Sequence, residues 1–412
     1  MKKIALAADD YTGAADDGVY LLATGQAVTL VLPGADSAHT AASLSHAIAI
    51  NSETRFLPPA EAAKVVHDIA SSCRQAGFDF FFKKIDSTLR GNPGAETAAV
   101  LNALDLSGAV ACPAFPALGR TCIDGIMLVH GIPLIETEIA RDRFTPLSSS
   151  RPAEILTAQT GLPSGHLPLG LIRSGSTAAR AEIDRLLASG IKLIVADSVT
   201  DADLDALAAI IVSDPRLLPV GSGGLSRACS EALAGKPADA PPPYRMRGRV
   251  LAVMGSLTSN TDDQIEHALS QGSFSLVVLD FDRGRADCNA EVKRAAGEAK
   301  RSLGKHLILI TRPKNRDGDA SFGLAAGRML GQAAECISRE CGCRILFSTG
   351  GATSAALCAE FGLKRIVLER ELFPGTVAGH YLDQKGEKFW FVSKAGGFGG
   401  KETLSRLLRF VE

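Results

Sequence analysis

The chain has 412 residues, 46% of them hydrophobic, with 41 glycines and a formal net charge of −1, and that length predicts two or three domains with well-filled cores. A near-neutral chain has no global field to recruit nucleic acid or an acidic membrane surface, so neither is expected as a partner and any anion site must be local. No apolar run approaches the length of a membrane span, and nine scattered cysteines without a Cys-x-x-Cys pair argue against a zinc site and fit reduced thiols in a cytoplasm.

The apolar residues Ile4–Ala8 are too few for a signal-peptide core and suit a first strand. At its carboxyl end stand Asp9 and Asp10, ahead of a helix predicted over 13–24 and closed by Gly25. Asp is a preferred helix cap. Two adjacent carboxylates exceed what one cap requires, and Asp10, further into the loop, is the better candidate for chemistry. Residues 28–32 and 47–51 read as strands, the second leading to Arg55, where a ligand carboxylate would be met. Pro58 and Pro59 open a helix with Ala62, Val66 and Ile69 on its apolar side.

The apolar run 78–82 then feeds Lys83-Lys84-Ile85-Asp86-Ser87-Thr88-Leu89-Arg90-Gly91-Asn92, before a helix over 94–104. In an open parallel sheet, ligands bind at such strand ends. Arg supplies a fixed fork of donors for a carboxylate or phosphate, Lys a mobile charge, and Asp an acceptor that orients or deprotonates a hydroxyl. The loop therefore reads as a site for a small acid carrying hydroxyls. Residues 109–112 form another buried strand. The aperiodic stretch 114–142 reads as short hairpin pieces and a loop over the pocket, with Arg120 as a second anion contact.

From Pro152 the alternation resumes, with strands predicted over 167–172, 191–196 and 217–220 and helices over 177–187 and 204–211. Gly221-Ser222-Gly223-Gly224-Leu225-Ser226 resembles a dinucleotide loop, but Ser226 stands where the third small residue belongs, and a tight strand-to-helix turn explains it equally well. The prolines at 237 and 241–243 sustain neither helix nor strand, so 236–249 reads as a linker dividing a domain over 1–235 from one over 250–412. Beyond it, strands are predicted over 250–254, 274–279, 307–310 and 345–347, with helices from 262, over 291–303 and over 324–337. Three loops rich in Gly, Ser and Thr follow strands or close the chain: Gly255-Ser256, Gly350-Gly351-Ala352-Thr353, and Lys394-Ala395-Gly396-Gly397. Exposed amides of this kind cradle a polyphosphate. No Gly-x-x-x-x-Gly-Lys-Ser/Thr, His-Glu-x-x-His or Gly-x-Ser-x-Gly occurs, which excludes a Walker fold and the common hydrolase motifs.

These residues carry a resemblance. Asp9-Asp10-x-Thr12-Gly13-Ala14-x-Asp16, the Lys83 to Asn92 loop, Pro113-Ala114-Phe115-Pro116-x-x-Gly119-Arg120-Thr121, Gly221 to Leu225, Gly255-Ser256, Gly350-Gly351, Pro374-Gly375 and Lys394 to Gly399 together resemble the four-carbon acid sugar kinase family, in the family's order and over almost the whole chain. The resemblance implies an α/β protein of two domains, each a mostly parallel sheet flanked by helices, with the active site in the cleft between them. It implies ATP-dependent phosphorylation, with Mg2+, of the terminal hydroxyl of a four-carbon sugar acid. The form of the basic loop looks more like the D-threonate and D-erythronate kinases than the 3-oxo-tetronate kinases.

Carried over by motif, Asp10, Arg55 and the Lys83 to Asp86 segment would bind the acid, and Ser256, the Gly350 to Thr353 turn and Gly397 would bind ATP. In the in-line transfer this suggests, Asp10, Asp86, Lys84 and Arg90 would be catalytic, with Asp10 or Asp86 accepting the hydroxyl proton. Asp9, Thr12, Arg55, Lys83, Lys84, Ile85, Asp86, Ser87, Asn92 and Arg120 would bind the acid, Arg55, Arg90 and Lys84 holding its carboxylate. Gly255, Ser256, Gly350, Gly351, Ala352, Thr353, Lys394, Gly396 and Gly397 would bind ATP. One departure stands out: Ala352 occupies a position at which the family usually has an acid, which leaves open a binder of the same fold without catalysis. A homodimer is compatible with this reading, and the metal ligands are left unassigned.

Overall fold

A computed structural model describes residues 2–34, 45–142, 144–234, 243–256, 258–302, 304–312 and 320–412. The chain forms two compact units, Met1–Asp239 and Ala240–Glu412. Residues 236–242 of the expected linker lie outside the described residues. Residues 243–249 belong to the second unit, where Met246 bridges Val411 before a strand starts at Arg249.

In the first unit β1 (Ile4–Ala8), β2 (Val28–Val31), β3 (Ala47–Asn51), β4 (Phe80–Lys84) and β5 (Gly108–Cys112) precede a small antiparallel sheet of β6 (Arg120–Ile123), β7 (Ile126–Val129) and β8 (Ile132–Pro133), and β9 (Ser164–Leu167), β10 (Leu193–Ala196) and β11 (Leu217–Gly221) follow. The main sheet runs β2-β3-β1-β4-β11-β5-β10-β9, with parallel pairing throughout. β1, β3, β5 and β10 are buried along their whole length, as strands covered on both faces must be, which is why they read as unbroken apolar runs. The order reverses at β1, flanked by β3 and β4, and the carboxyl ends of neighbouring strands there open the crevice in which such sheets bind ligands.

Helices pack in two sets. One contains α1 (Tyr11–Tyr20), and the other contains α2 (Pro59–Gln75), α3 (Pro93–Leu104) and α4 (Pro152–Thr160). The strand expected over 167–172 is instead the end of β9 followed by α5 (Leu169–Arg173). Pro168, with φ −67° and ψ 149°, stops the strand and leads into the helix, whose first free amide, that of Leu169, donates to the buried Asp197 carboxylate at 3.1 Å. Five further helices complete the described part of this unit or open the next: α6 (Ser176–Ala188), α7 (Asp201–Val212), α8 (Gly223–Ala234), α9 (Ser259–Ser270) and α10 (Phe281–Ala286).

The second unit carries α11 (Cys288–Arg301), α12 (Ala320–Cys341), α13 (Gly351–Glu360) and α14 (Thr403–Leu408) around β12 (Arg249–Met254), β13 (Phe274–Asp280), β14 (His306–Arg312), β15 (Cys343–Thr349), β16 (Arg365–Phe373), β17 (Thr376–Leu382) and β18 (Lys388–Lys394). Its strands run β13-β14-β12-β15-β18-β17-β16. The pairs up to β18 are parallel, and β16 to β18 form an antiparallel meander that the sequence reading did not assign. Val250, Ala252, Ile308, Ile345, Phe347 and Val392 build the core beneath them. No described helix is long and apolar enough to cross a membrane.

Candidate active site

At the end of β1 the chain turns into α1 with Asp10 extended (φ −142°, ψ 166°) as its N-cap, its Oδ1 accepting from the Gly13 amide at 2.8 Å. The remaining oxygen accepts from Arg55 Nη1 at 2.6 Å, while Arg55 Nε and Nη2 clasp both oxygens of Asp9 at 2.7 and 2.9 Å. The Asp9 carbonyl in turn holds the amides of Thr54 and Arg55. Arg55 thus serves two carboxylates of its own unit, which corrects the expectation that its fork stands open for a ligand. Burial alone would raise the Asp9 carboxyl, but Arg55, Lys83 and Lys84 hold it below the usual range. The Asp10 side chain keeps 19% of its surface open, so this carboxylate is both fixed and reachable.

Successive residues of a strand face opposite sides of the sheet, and the two lysines of β4 separate accordingly. Lys83 Nζ pairs with Glu96 of α3 at 2.6 Å and donates to the Ala7 and Lys84 carbonyls; the side chain is fully buried. Its donors are committed inside the unit, to Glu96 and two carbonyls, rather than left open as the expected ligand contact would be. Burial pushes the Glu96 carboxyl up even beside Lys83, and Glu96 also accepts from Thr54 at 2.6 Å. Lys84 points the other way, toward α1: a Cβ on Gly13 would lie 2.7 Å from its Nζ. Against the desolvation that would lower it, Asp17, Asp10 and Asp9 raise the Lys84 ammonium above its ordinary value.

Asp17 is a functional candidate the sequence reading missed. It sits one turn beyond Gly13 on the same face of α1, 2% exposed, with Oδ2 buried and unpartnered. A Cβ on Gly223, at the start of α8, would approach Oδ1 to 3.1 Å. Burial pushes this carboxyl up to about 6 against the pull of Lys84, with Ser226 close by but outside hydrogen-bond geometry and Asp10 and Asp9 adding to the rise.

Beyond β4, Asp86 accepts from Arg90 Nε at 2.8 Å and Nη2 at 3.2 Å, and from the Thr88 hydroxyl. Burial opposes ionisation, yet Arg55, Arg90 and Thr88 together hold Asp86 well below the usual carboxylate range. Leu89 takes φ +61° in the turn this creates. Arg120, first residue of β6, donates from Nη1 to Ser87 Oγ at 2.9 Å. Ile85 is a core residue whose amide donates to Gly221 O at 2.9 Å, and both donors of the Asn92 amide hold the carbonyls of Thr54 and Leu57. The Ile85 side chain and the Asn92 amide group are thus engaged within the unit. Thr12 lies half-buried in the first turn of α1. A cavity of about 360 Å³ adjoins Arg55; Phe56 and Phe144, both exposed, stand edge to face on its wall with centroids 5.6 Å apart.

In the second unit three loops converge. A Cβ on Gly396 would lie 3.7 Å from Gly350 Cα and 3.9 Å from Ser256 Oγ, and one on Gly255 would strike Thr353 Oγ1. Gly350 needs its φ of +89° to turn from β15 into α13, whose first amides carry no side-chain cap. Free amides at a helix start suit an anion. Thr349 Oγ1, one residue earlier, is buried and unpartnered. Lys394, expected at the nucleotide, instead donates to the carbonyls of Ala395, Gly396 and Phe398 at 2.9, 3.4 and 2.7 Å; it folds the last loop from within. Gln264 supports the same loop through Phe398 and Gly399. Ala352 is exposed in the first turn of α13, which holds no acid. Among the described residues no three His, Cys, Asp or Glu side chains converge as a metal site.

Comparison with known proteins gives these two regions separate counterparts. Residues 4–229 match a family described as a sugar-binding N-terminal domain, and residues 251–404 one described as a nucleotide-binding C-terminal domain. A D-threonate kinase of Salmonella typhimurium is 32% identical over all of this chain and 98% of its own length. A D-erythronate kinase of Heliobacterium modesticaldum is 29% identical over 98% of this chain and 95% of its own; a 3-oxo-tetronate kinase of Pseudomonas fluorescens is 30% identical over 97% and 95%. A solved Salmonella typhimurium structure shares the fold with TM-score 0.85 at 23% identity, covering 99% of both chains.

Proposed function

Because the chain belongs to the four-carbon acid sugar kinase family, and is accordingly an ATP-dependent kinase of a four-carbon acid sugar, we propose that its substrate is D-threonate and its product 4-phospho-D-threonate. D-Erythronate and 3-oxo-tetronate are the alternative substrates. The observation that carries the reading is Asp10: a carboxylate fixed by a helix amide and by Arg55, yet open to a ligand. The terminal hydroxyl of the acid donates to Asp10, which takes its proton as the phosphoryl group arrives. The loose transition state of phosphoryl transfer asks more for orientation than for a strong base. Asp86 is the weaker candidate, since Arg90 and Thr88 already occupy it. Lys84, charged and beside Asp10, supplies positive potential where negative charge grows.

The amides at the start of α13 and the Gly396 turn receive the nucleotide phosphates, with Thr349 and Ser256 as hydroxyl partners. These loops offer hydroxyls rather than carboxylates, so a Mg2+ would enter with the phosphate oxygens of the nucleotide, with Thr349 and Ser256 as the hydroxyls at hand. The metal supplies charge neutralisation on those oxygens. The nine free thiols support a reducing, cytoplasmic setting.

ADP release measured over a panel of four-carbon acids tests the reading. We expect D-threonate to give the highest kcat/KM. Release that is the same with and without every acid of the panel would overturn it.

A further inference from the structure

We propose that Arg120, with Ser87, is the residue that reads the carboxylate of the acid substrate, and so decides that this site takes an acid rather than a neutral polyol or amide; this rests on the kinase reading above. The cations at the site differ in how far they are already satisfied. Arg55 holds Asp9 and Asp10, Lys83 holds Glu96, and Arg90 holds Asp86. Lys84 is surrounded by the charges of Asp17, Asp10 and Asp9. Arg120 forms no ion pair with a carboxylate among the described residues: its guanidinium donates to the neutral Ser87 hydroxyl, and its Nε is buried without a hydrogen-bond partner.

A buried guanidinium donor left unpaired is costly, because it has given up water and gained nothing. The direction of the acid–base shifts agrees. Arg55, Arg90 and Lys84 are raised by their carboxylates, whereas burial draws Arg120 below its ordinary value, Asp86 compensating only in part and Arg90 opposing. A bound carboxylate repairs this arrangement, since a planar fork matches its two oxygens.

Arg120 is anchored on Ser87, in the loop that follows β4, while Asp10 follows β1, and these adjacent parallel strands end side by side. Arg120 and Asp10 thus belong to neighbouring loops at the same edge of the sheet. A four-carbon acid has its carboxylate at one end and its terminal hydroxyl at the other, so one molecule can satisfy Arg120 with the first while presenting the second to Asp10. The same fork would also suit the phosphoryl group in transfer, and the test separates the two.

The test compares kcat/KM for D-threonate and for its neutral amide, D-threonamide, in the wild-type chain, Arg120→Gln and Arg120→Lys. Two charge-assisted hydrogen bonds are worth roughly a hundredfold, so the wild type should prefer the acid by about that factor. Arg120→Gln should reduce the preference to below about tenfold, chiefly through KM. Arg120→Lys, which keeps the charge and loses the fork, should fall between; it also serves should the glutamine variant fail to fold, ATP-induced thermal stabilisation reporting folding in both. An acid-to-amide ratio unchanged in the variants overturns the assignment, and a kcat loss equal for both substrates gives Arg120 to the phosphoryl group instead. If the wild type releases no ADP with any four-carbon acid, the kinase reading fails, whatever Arg120 does.

Discussion

Asp17 carries the clearest electrostatic consequence at the scale of one residue. Its folded value of about 6 lies above the ordinary 3.8 of the carboxyl, so the folded chain binds the proton more tightly than the unfolded one. Stability is then present below about pH 4 and is lost as pH rises toward 6, by about 3 kcal/mol in all. Asp9 and Asp86, held low, act in the opposite sense, contributing stability that is lost only in stronger acid. Asp17→Asn removes the first effect and leaves the second. Urea unfolding at pH 4.5, 5.5, 6.5 and 7.5 should show the variant gaining on the wild type across the first three points and by a constant amount thereafter. A difference independent of pH would mean that Asp17 is not the titrating group. Asp17 lies three residues after Ala14 and four before Leu21, on the buried face of the helix; the period permits its burial, but a carboxylate gives no sign of it, and Gly223 lies close against it. Lys83 is the converse case. Its charge and neighbours made it look like a ligand contact, but strand alternation sends it to Glu96 while Lys84 faces α1.

The first turn of α1 ties the strand end to the site at the scale of the element. Gly13 leaves room there for Lys84 Nζ and Asp10 Oδ1, which a Cβ would approach to 2.7 and 2.9 Å. Alanine is the better helix former by about 1 kcal/mol, and Lys84 Nζ is the far end of a flexible chain. Strain on the Asp10 cap offsets that gain, so Gly13→Ala should leave the unfolding midpoint near or slightly below that of the wild type while lowering kcat/KM for the acid by roughly tenfold or more, as ammonium and carboxylate are pushed aside. Full activity in that variant would show that their placement is unimportant. Elements of this kind were legible because strands buried on both faces read as apolar runs and their loops as bursts of charge or glycine. β16 to β18 were not legible. Arg365 to Phe373 shows no clean alternation, because three consecutive charges, Glu369, Arg370 and Glu371, interrupt it, and Glu369 is held by Lys388 at 2.6 Å and by Tyr244, contacts no local pattern announces. At Pro168 a single ring, not a change in hydrophobicity, ended the strand that the sequence appeared to continue.

Taken as a whole molecule, the chain divides its labour between units matched by a sugar-binding and a nucleotide-binding family. With a net charge of −1, recognition of two anionic ligands would fall to local features, which on the proposed reading are a graded set of cations in the first unit and uncapped amides in the second. The candidate residues were largely legible because they cluster in loops after strands. Which of them are free was not: Arg55, Lys83, Asn92 and Lys394 have the composition of ligand contacts and the hydrogen bonds of a scaffold. Transfer needs both ligands in one event, and on the proposed reading one group, Asp10, takes the proton of the acid. The most direct test is D-threonate-dependent ADP release by Asp10→Asn beside the wild type, with ATP-induced thermal stabilisation measured on both. We expect turnover to fall by about a hundredfold or more while the stabilisation by ATP is unchanged. Turnover within a few-fold of wild type in a variant that still binds ATP would contradict the central role given to Asp10.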